Sequence, residues 1–188
     1  ARAGYDYFMP LDGTFRDNVT LQIKNGPMDF QVREPVSPLI GGLQHTHIAV
    51  EFQIAQEYTG QQRHVCYLMP WFRQILDFDM RTRPNGDAHV RTLIQGASNG
   101  MVAVTNTGND ENWTGHDLAA ANLYGFGRLS YDTTLDPAVI ADEWLRLTFG
   151  QNEPVEKTLH RILMQSWPTY EKYNAPLGVG WMVNPNYH

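Results

Sequence analysis

The sequence is poor in cysteine and in charge. Cys66 is the only cysteine among 188 residues, which excludes an internal disulfide framework and any structural zinc site built on cysteines. Charged residues make up 18%, with 14 Lys and Arg against 20 Asp and Glu, a formal charge of −6. No run of Lys or Arg exceeds two, so the electrostatic footprint of a nucleic-acid binder is missing. No window approaches the ~18 uninterrupted apolar residues of a membrane helix. Internal repeats and low-complexity tracts are also absent. What is present is apolar: 42% hydrophobic and 12% aromatic residues. That composition excludes intrinsic disorder and suffices for a core. At roughly 150 residues per domain, the length fits one domain or one plus part of another. The chain begins Ala1-Arg2-Ala3, without Met or a signal-peptide pattern, and stops at Asn186-Tyr187-His188. Both ends are therefore expected to be cut, and the compartment is not readable.

Alternation marks two strands, and a short run marks a third. Val19, Leu21 and Ile23 point one way and Thr20, Gln22 and Lys24 the other, until Asn25-Gly26-Pro27 ends the run. Ile48, Val50, Phe52 and Ile54 alternate with Ala49, Glu51 and Gln53, and Met101 to Thr105 forms a third run. Trp71 to Phe78 reads as a short helix and Arg81 to Asp87 as a loop. Strands separated by helix and loop predict a parallel, α/β arrangement. After residue 110 the signals become helical. Asp136-Pro137 places a capping carboxylate before a first-turn proline, and Gly150 is a natural stop. Ile140, Trp144 and Leu147 are expected on one buried face, and Val155, Leu159, Ile162 and Leu163 on another, in a helix begun by Pro154. Asp117 to Ser130 is a weaker helix; Gly125 and Gly127 lower its propensity but allow close packing. Residues 1–110 thus read as part of an α/β domain and residues 111–188 as part of a helical one.

In parallel sheets and barrels, polar side chains at the carboxyl ends of strands gather at the active-site mouth. Lys24 ends the first strand, and Asp29 follows it in the next loop. If the parity of Glu51 and Gln53 continues through Ala55, Glu57 falls on the same side beyond the second strand. Lys24, Asp29 and Glu57 are the predicted cluster. Two carboxylates there could hold and deprotonate a water, with an ammonium group attracting an anionic substrate. The plain alternative is an ion pair between Lys24 and one of the acids.

The same segments carry a family resemblance. The run from Asn18 to Gln31, with Arg33-Glu34-Pro35, the run from Glu51 to Gly60 and the run from Pro176 to Pro185 resemble the α-glucuronidases of glycoside hydrolase family 67. The resemblance covers nearly the whole chain. It implies the C-terminal part of a (β/α)8 barrel followed by part of an α-helical domain. It also implies an inverting hydrolase that removes α-1,2-linked glucuronic acid, or its 4-O-methyl ether, from the non-reducing-end xylose of xylo-oligosaccharides. It places both water-side catalytic carboxylates on Asp29 and Glu57 and the uronate contact on Lys24. Trp181, in the Gly178-Val179-Gly180-Trp181 loop, becomes the candidate aromatic wall of the sugar pocket. The general acid of the family is a glutamate on an earlier strand, with no counterpart here, so the isolated chain is expected to be inactive. No cofactor is implied, and full-length members are expected to form homodimers through the helical domain.

Other signals are weaker. His45-x-His47 precedes its strand, whereas barrel metal ligands follow theirs, so no metal is expected. Gly125-x-Gly127 lacks a preceding strand and is no dinucleotide fingerprint. Trp144 lies on a helical stripe and is expected in the core. A non-catalytic carbohydrate-binding module, using Trp181 and other aromatics as platforms, is the alternative from another functional class.

Overall fold

The three runs form strands in the computed structural model, which describes residues 2–26, 34–56, 63–82, 86–105, 108–109, 111–112 and 114–174. They are β1 (Thr20–Lys24), β2 (His47–Gln53) and β3 (Gly100–Val104). All pair in parallel, in the order β1-β2-β3. Leu21 stands beside Ile48, and Ile23 beside Val50, which in turn faces Met101. This apolar row is the core face. The opposite face carries Gln22, Lys24, Glu51 and Gln53, as strand parity requires.

Seven α-helices are described. They are α1 (Arg2–Phe8), α2 (Pro38–Gly42), α3 (Met69–Leu76), α4 (Val90–Leu93), α5 (Ala120–Tyr131), α6 (Pro137–Phe149) and α7 (Glu153–Asn174). Of the expected loop from Arg81 to Asp87, residues 83–85 lie outside the description. None of the described helices is long and apolar enough to cross a membrane.

The capping prediction holds: an Asp136 carboxylate oxygen accepts from the Ala138 N–H at 2.8 Å, and Gly150 ends α6 at φ 73°. Gly125 lets α5 close on α3, because a methyl group there would lie 2.5 Å from Met69 Cγ. Gly127 makes no such approach. The two helical stripes need correction. On α6 the buried residues are Ile140, Ala141, Trp144 and Leu145, whereas Leu147 is 73% exposed. The buried arc of a 3.6-residue period centres between Ile140 and Leu145, leaving Leu147 on its flank. On α7, Leu163, Trp167 and Tyr170 are buried, whereas Val155 and Ile162 are exposed.

α3 is the hub of one continuous core. Its Phe72 packs on Phe52 of β2 at 4.7 Å, and Phe52 also meets Phe126 of α5. Its Trp71 stacks on Trp167 of α7, with centroids 4.9 Å apart and planes 10° from parallel. Residues 66–68, which lead into α3, are held from three helices. Asn122 of α5, 1% exposed, accepts from the Leu68 N–H at 2.8 Å and donates to the Cys66 carbonyl at 2.9 Å. Ser166 Oγ of α7 accepts from the Tyr67 N–H, and the Tyr67 hydroxyl donates to the Pro137 carbonyl. Burial, then the carboxylates of Asp136, Asp142 and Glu143, push the Tyr67 phenol upward, so it remains a neutral donor.

Asn122→Ala would leave a buried N–H and a buried C=O unpaired, at about 1–3 kcal/mol each. Denaturant unfolding of the full-length protein is therefore expected to show a loss of about 2–6 kcal/mol. A change within about 0.5 kcal/mol would mean that other groups replace the amide.

Candidate functional site

The carboxyl ends of β1 and β2 bring polar groups together by register. Lys24 and Glu51 are Cα partners across the two strands. Gln22 Nε2 donates to Glu51 Oε2, which places Gln22, Lys24 and Glu51 on one face. Immediately beyond, Asn25 is buried; its N–H donates to the Glu51 carbonyl and its carbonyl accepts from Ser37, both at 2.9 Å. At the following residue, Gly26, a side chain would require Glu34 to move. A methyl group on Gly26 would overlap the Glu34 carboxylate and lie 2.7 Å from Glu34 Cβ. Asn25 is thus held by backbone hydrogen bonds, and Gly26 lies close against the Glu34 side chain.

The end of β2 is built differently. The Ile54 and Ala55 N–H groups both donate to the Val104 carbonyl, at 2.9 and 3.2 Å. Gln56 then adopts φ 55°, a left-handed conformation uncommon for a residue with a Cβ. It is buried. The regular pleat ends at Gln53, so parity cannot be carried through Ala55 to Glu57.

Of the four residues singled out from sequence, Lys24 is described: it is exposed and stands at the carboxyl end of β1. Asp29, Glu57 and Trp181 lie outside the described residues. Asn25, Gly26, Glu51 and Gln56, which lie at this same end of the sheet, were not singled out from sequence as site residues. Glu51 was findable, since it occupies the polar parity beside Gln53. Gln56 carries no sequence signal for its backbone conformation.

A cavity of about 340 Å³ opens beside β1, lined by Tyr5, Phe8, Leu21, Lys24, Gly26 and Ser37 among others. Its lining takes in Leu21 to Lys24 of β1 together with residues of α1 and α2. Among the described residues, no group of three or more His, Cys, Asp or Glu side chains could hold a metal ion. His45 and His47 line a separate cavity of about 160 Å³ at the opposite end of the sheet. Chemically, the carboxyl end of the sheet offers the exposed residue Lys24, a carboxylate hydrogen-bonded by Gln22 on the next strand, and the buried amide residues Asn25 and Gln56. Such a surface suits recognition of an anionic, hydroxyl-rich molecule.

Comparison with known proteins assigns the chain consistently. The glycosyl hydrolase family 67 middle domain matches residues 1–113, and the glycosyl hydrolase family 67 C-terminus matches residues 114–188. A probable alpha-glucuronidase A of Aspergillus fumigatus is 47% identical over 184 residues, 95% of this chain and 22% of the relative. The corresponding proteins of Neosartorya fischeri and Aspergillus niger are 48% and 46% identical, with the same coverage. The chain therefore spans 22% of the length of these curated relatives.

Proposed function

This chain belongs to glycosyl hydrolase family 67, and from that premise we propose that it is the water-activating part of an α-glucuronidase. The full-length enzyme removes α-1,2-linked glucuronic acid or its 4-O-methyl ether from the non-reducing-end xylose of xylo-oligosaccharides, as in xylan breakdown. The three parallel strands are the last strands of a (β/α)8 barrel. Sequential strand order and one open side on each of β1 and β3 support this reading, since barrel strands are paired on both sides. The barrel part spans residues 1–110 and the helical domain residues 111–188. That helical domain forms the homodimer contact.

The mechanism is single displacement with inversion. Asp29 and Glu57 leave the carboxyl ends of adjacent strands, β1 and β2, and together orient and deprotonate the hydrolytic water. A glutamate on an earlier strand protonates the leaving xylose oxygen. Acid and base groups stand roughly 6.5–9.5 Å apart in inverting enzymes, leaving room for that water. Lys24 pairs with the uronate carboxylate, and Trp181 walls the sugar ring.

The observation that carries the proposal is the placement of Lys24 at the carboxyl end of a parallel strand, in register with β2, five residues before Asp29. Lys24→Met in the full-length enzyme tests it. A charge-assisted hydrogen bond contributes about 1.5–3 kcal/mol. The variant should therefore lose about 10- to 100-fold in kcat/KM on glucuronosyl xylo-oligosaccharides, mostly in KM. Equal activity of variant and parent would remove Lys24 from substrate recognition.

A further inference from the structure

The connection from β2 to α3, residues 54–68, is anchored at both ends, and the two anchors come from different parts of the chain. Upstream, the Ile54 and Ala55 N–H groups donate to Val104 of β3. Downstream, residues 64–68 share five hydrogen bonds with the part that matches the family 67 C-terminus. His116 Nε2 donates to the His64 carbonyl at 3.2 Å, and the Asn122 amide bonds both Cys66 and Leu68. The Ser166 hydroxyl accepts from the Tyr67 N–H at 2.8 Å while donating to the Leu163 carbonyl of its own helix, which orients it. The Tyr67 hydroxyl donates to the Pro137 carbonyl at 3.0 Å. Cys66, Tyr67 and Leu68 are buried, so their backbone groups cannot turn to solvent instead. In sequence, Glu57 falls between the two anchors.

We infer that the helical domain straps the connection that carries Glu57: His116, Asn122 and Ser166 are positioning residues that fix its downstream end and, through it, the place of the catalytic carboxylate. The inference rests on the reading of Glu57 as a water-side carboxylate. A functional side chain on a loop is only as precise as the supports of that loop. α3 holds the chain from Met69 onward, and the His116 bond brings a support nearer to Glu57, at His64. Misplacing a reacting group by about 1 Å can lower a rate by about 100-fold, so loosening this end costs rate. Substrate recognition suffers less, because Lys24 belongs to β1 and not to this connection.

The test uses the full-length enzyme and a glucuronosyl xylo-oligosaccharide. Ser166→Ala is expected to lower kcat about 3- to 30-fold with KM within about twofold of the parent. Ser166→Thr, which keeps the hydroxyl, should recover most of that rate. His116→Ala removes a solvent-exposed bond and leaves the core intact, so it should fold even if Ser166→Ala does not; its kcat is expected to fall about 2- to 5-fold. Leu145→Ala separates a general loss of stability: it truncates a buried residue of α6 outside the strap, so the unfolding midpoint should fall while kcat stays. In a Glu57→Gln background, Ser166→Ala should add no further loss, because its effect passes through Glu57. An unchanged kcat in folded Ser166→Ala or in His116→Ala, a loss confined to KM, an equal kcat loss in Leu145→Ala, or an additive loss in the Glu57→Gln background would overturn the strap. If Glu57→Gln alone keeps the parent kcat, the reading of Glu57 fails first, and the strap fails with it.

Discussion

Asp29→Asn in the full-length enzyme is expected to lower kcat by about 100- to 10,000-fold while leaving KM within a few-fold of the parent. The reasoning is that an inverting hydrolase must remove a proton from water as it attacks, and a neutral amide cannot take it. In the proposed reading substrate binding depends on other groups, Lys24 among them, so affinity should survive. Glu57→Gln should give a loss of the same order. The double variant should be little worse than the worse single one, because two groups acting on one water fail as a unit. A carbohydrate-binding module would behave differently: it has no turnover to lose, and its sugar affinity would be unchanged in both variants. A parent enzyme with glucuronidase turnover and an Asp29→Asn variant with the same kcat would remove Asp29 from the water side.

The second large effect concerns the chain taken alone. The 188-residue polypeptide is expected to release no glucuronic acid from glucuronosyl xylo-oligosaccharides, even with Lys24, Asp29 and Glu57 intact. A (β/α)8 barrel takes about 250 residues, and this chain spans 22% of its relatives. Among the described residues, β1 and β3 are each paired on one side. Their open edges, and the face carrying Gln22, Glu51 and Lys24, are surfaces that a closed barrel covers. Exposed strand edges also template association, so the isolated chain should unfold at low denaturant and self-associate. Appreciable turnover by the purified fragment would mean that the acid group lies within these residues.

The parts of the fold that rest on local rules were legible. Alternation located two strands and a short apolar run the third, and a side-chain cap, a proline and a glycine bounded α6. What was not legible depends on partners distant in sequence. Nothing local marks Trp71 and Trp167 as a stacked pair, or Asn122 as the amide that holds residues 66–68. The short α1 and α2 have no periodicity to read. Leu147 was misplaced because it lies on the flank of the α6 apolar arc, where sequence cannot say whether a neighbour covers it. At the site, parity placed Lys24 correctly on the polar side of β1. It could not extend to Glu57, because Ile54 and Ala55 share one acceptor and Gln56 turns left-handed. That departure from the pleat occurs at a residue type with no preference for it. Departures of this kind are concentrated at functional sites, where the surrounding structure enforces them.

The central claim is a spatial one, and a crystal structure of the full-length enzyme with glucuronic acid bound tests it most directly. The account predicts carboxylate oxygens of Asp29 and Glu57 converging on a single water beneath the anomeric carbon, with Lys24 Nζ within hydrogen-bond distance of the uronate carboxylate. Finding the two acids directed away from the sugar, or the uronate held at a different end of the sheet, would contradict it.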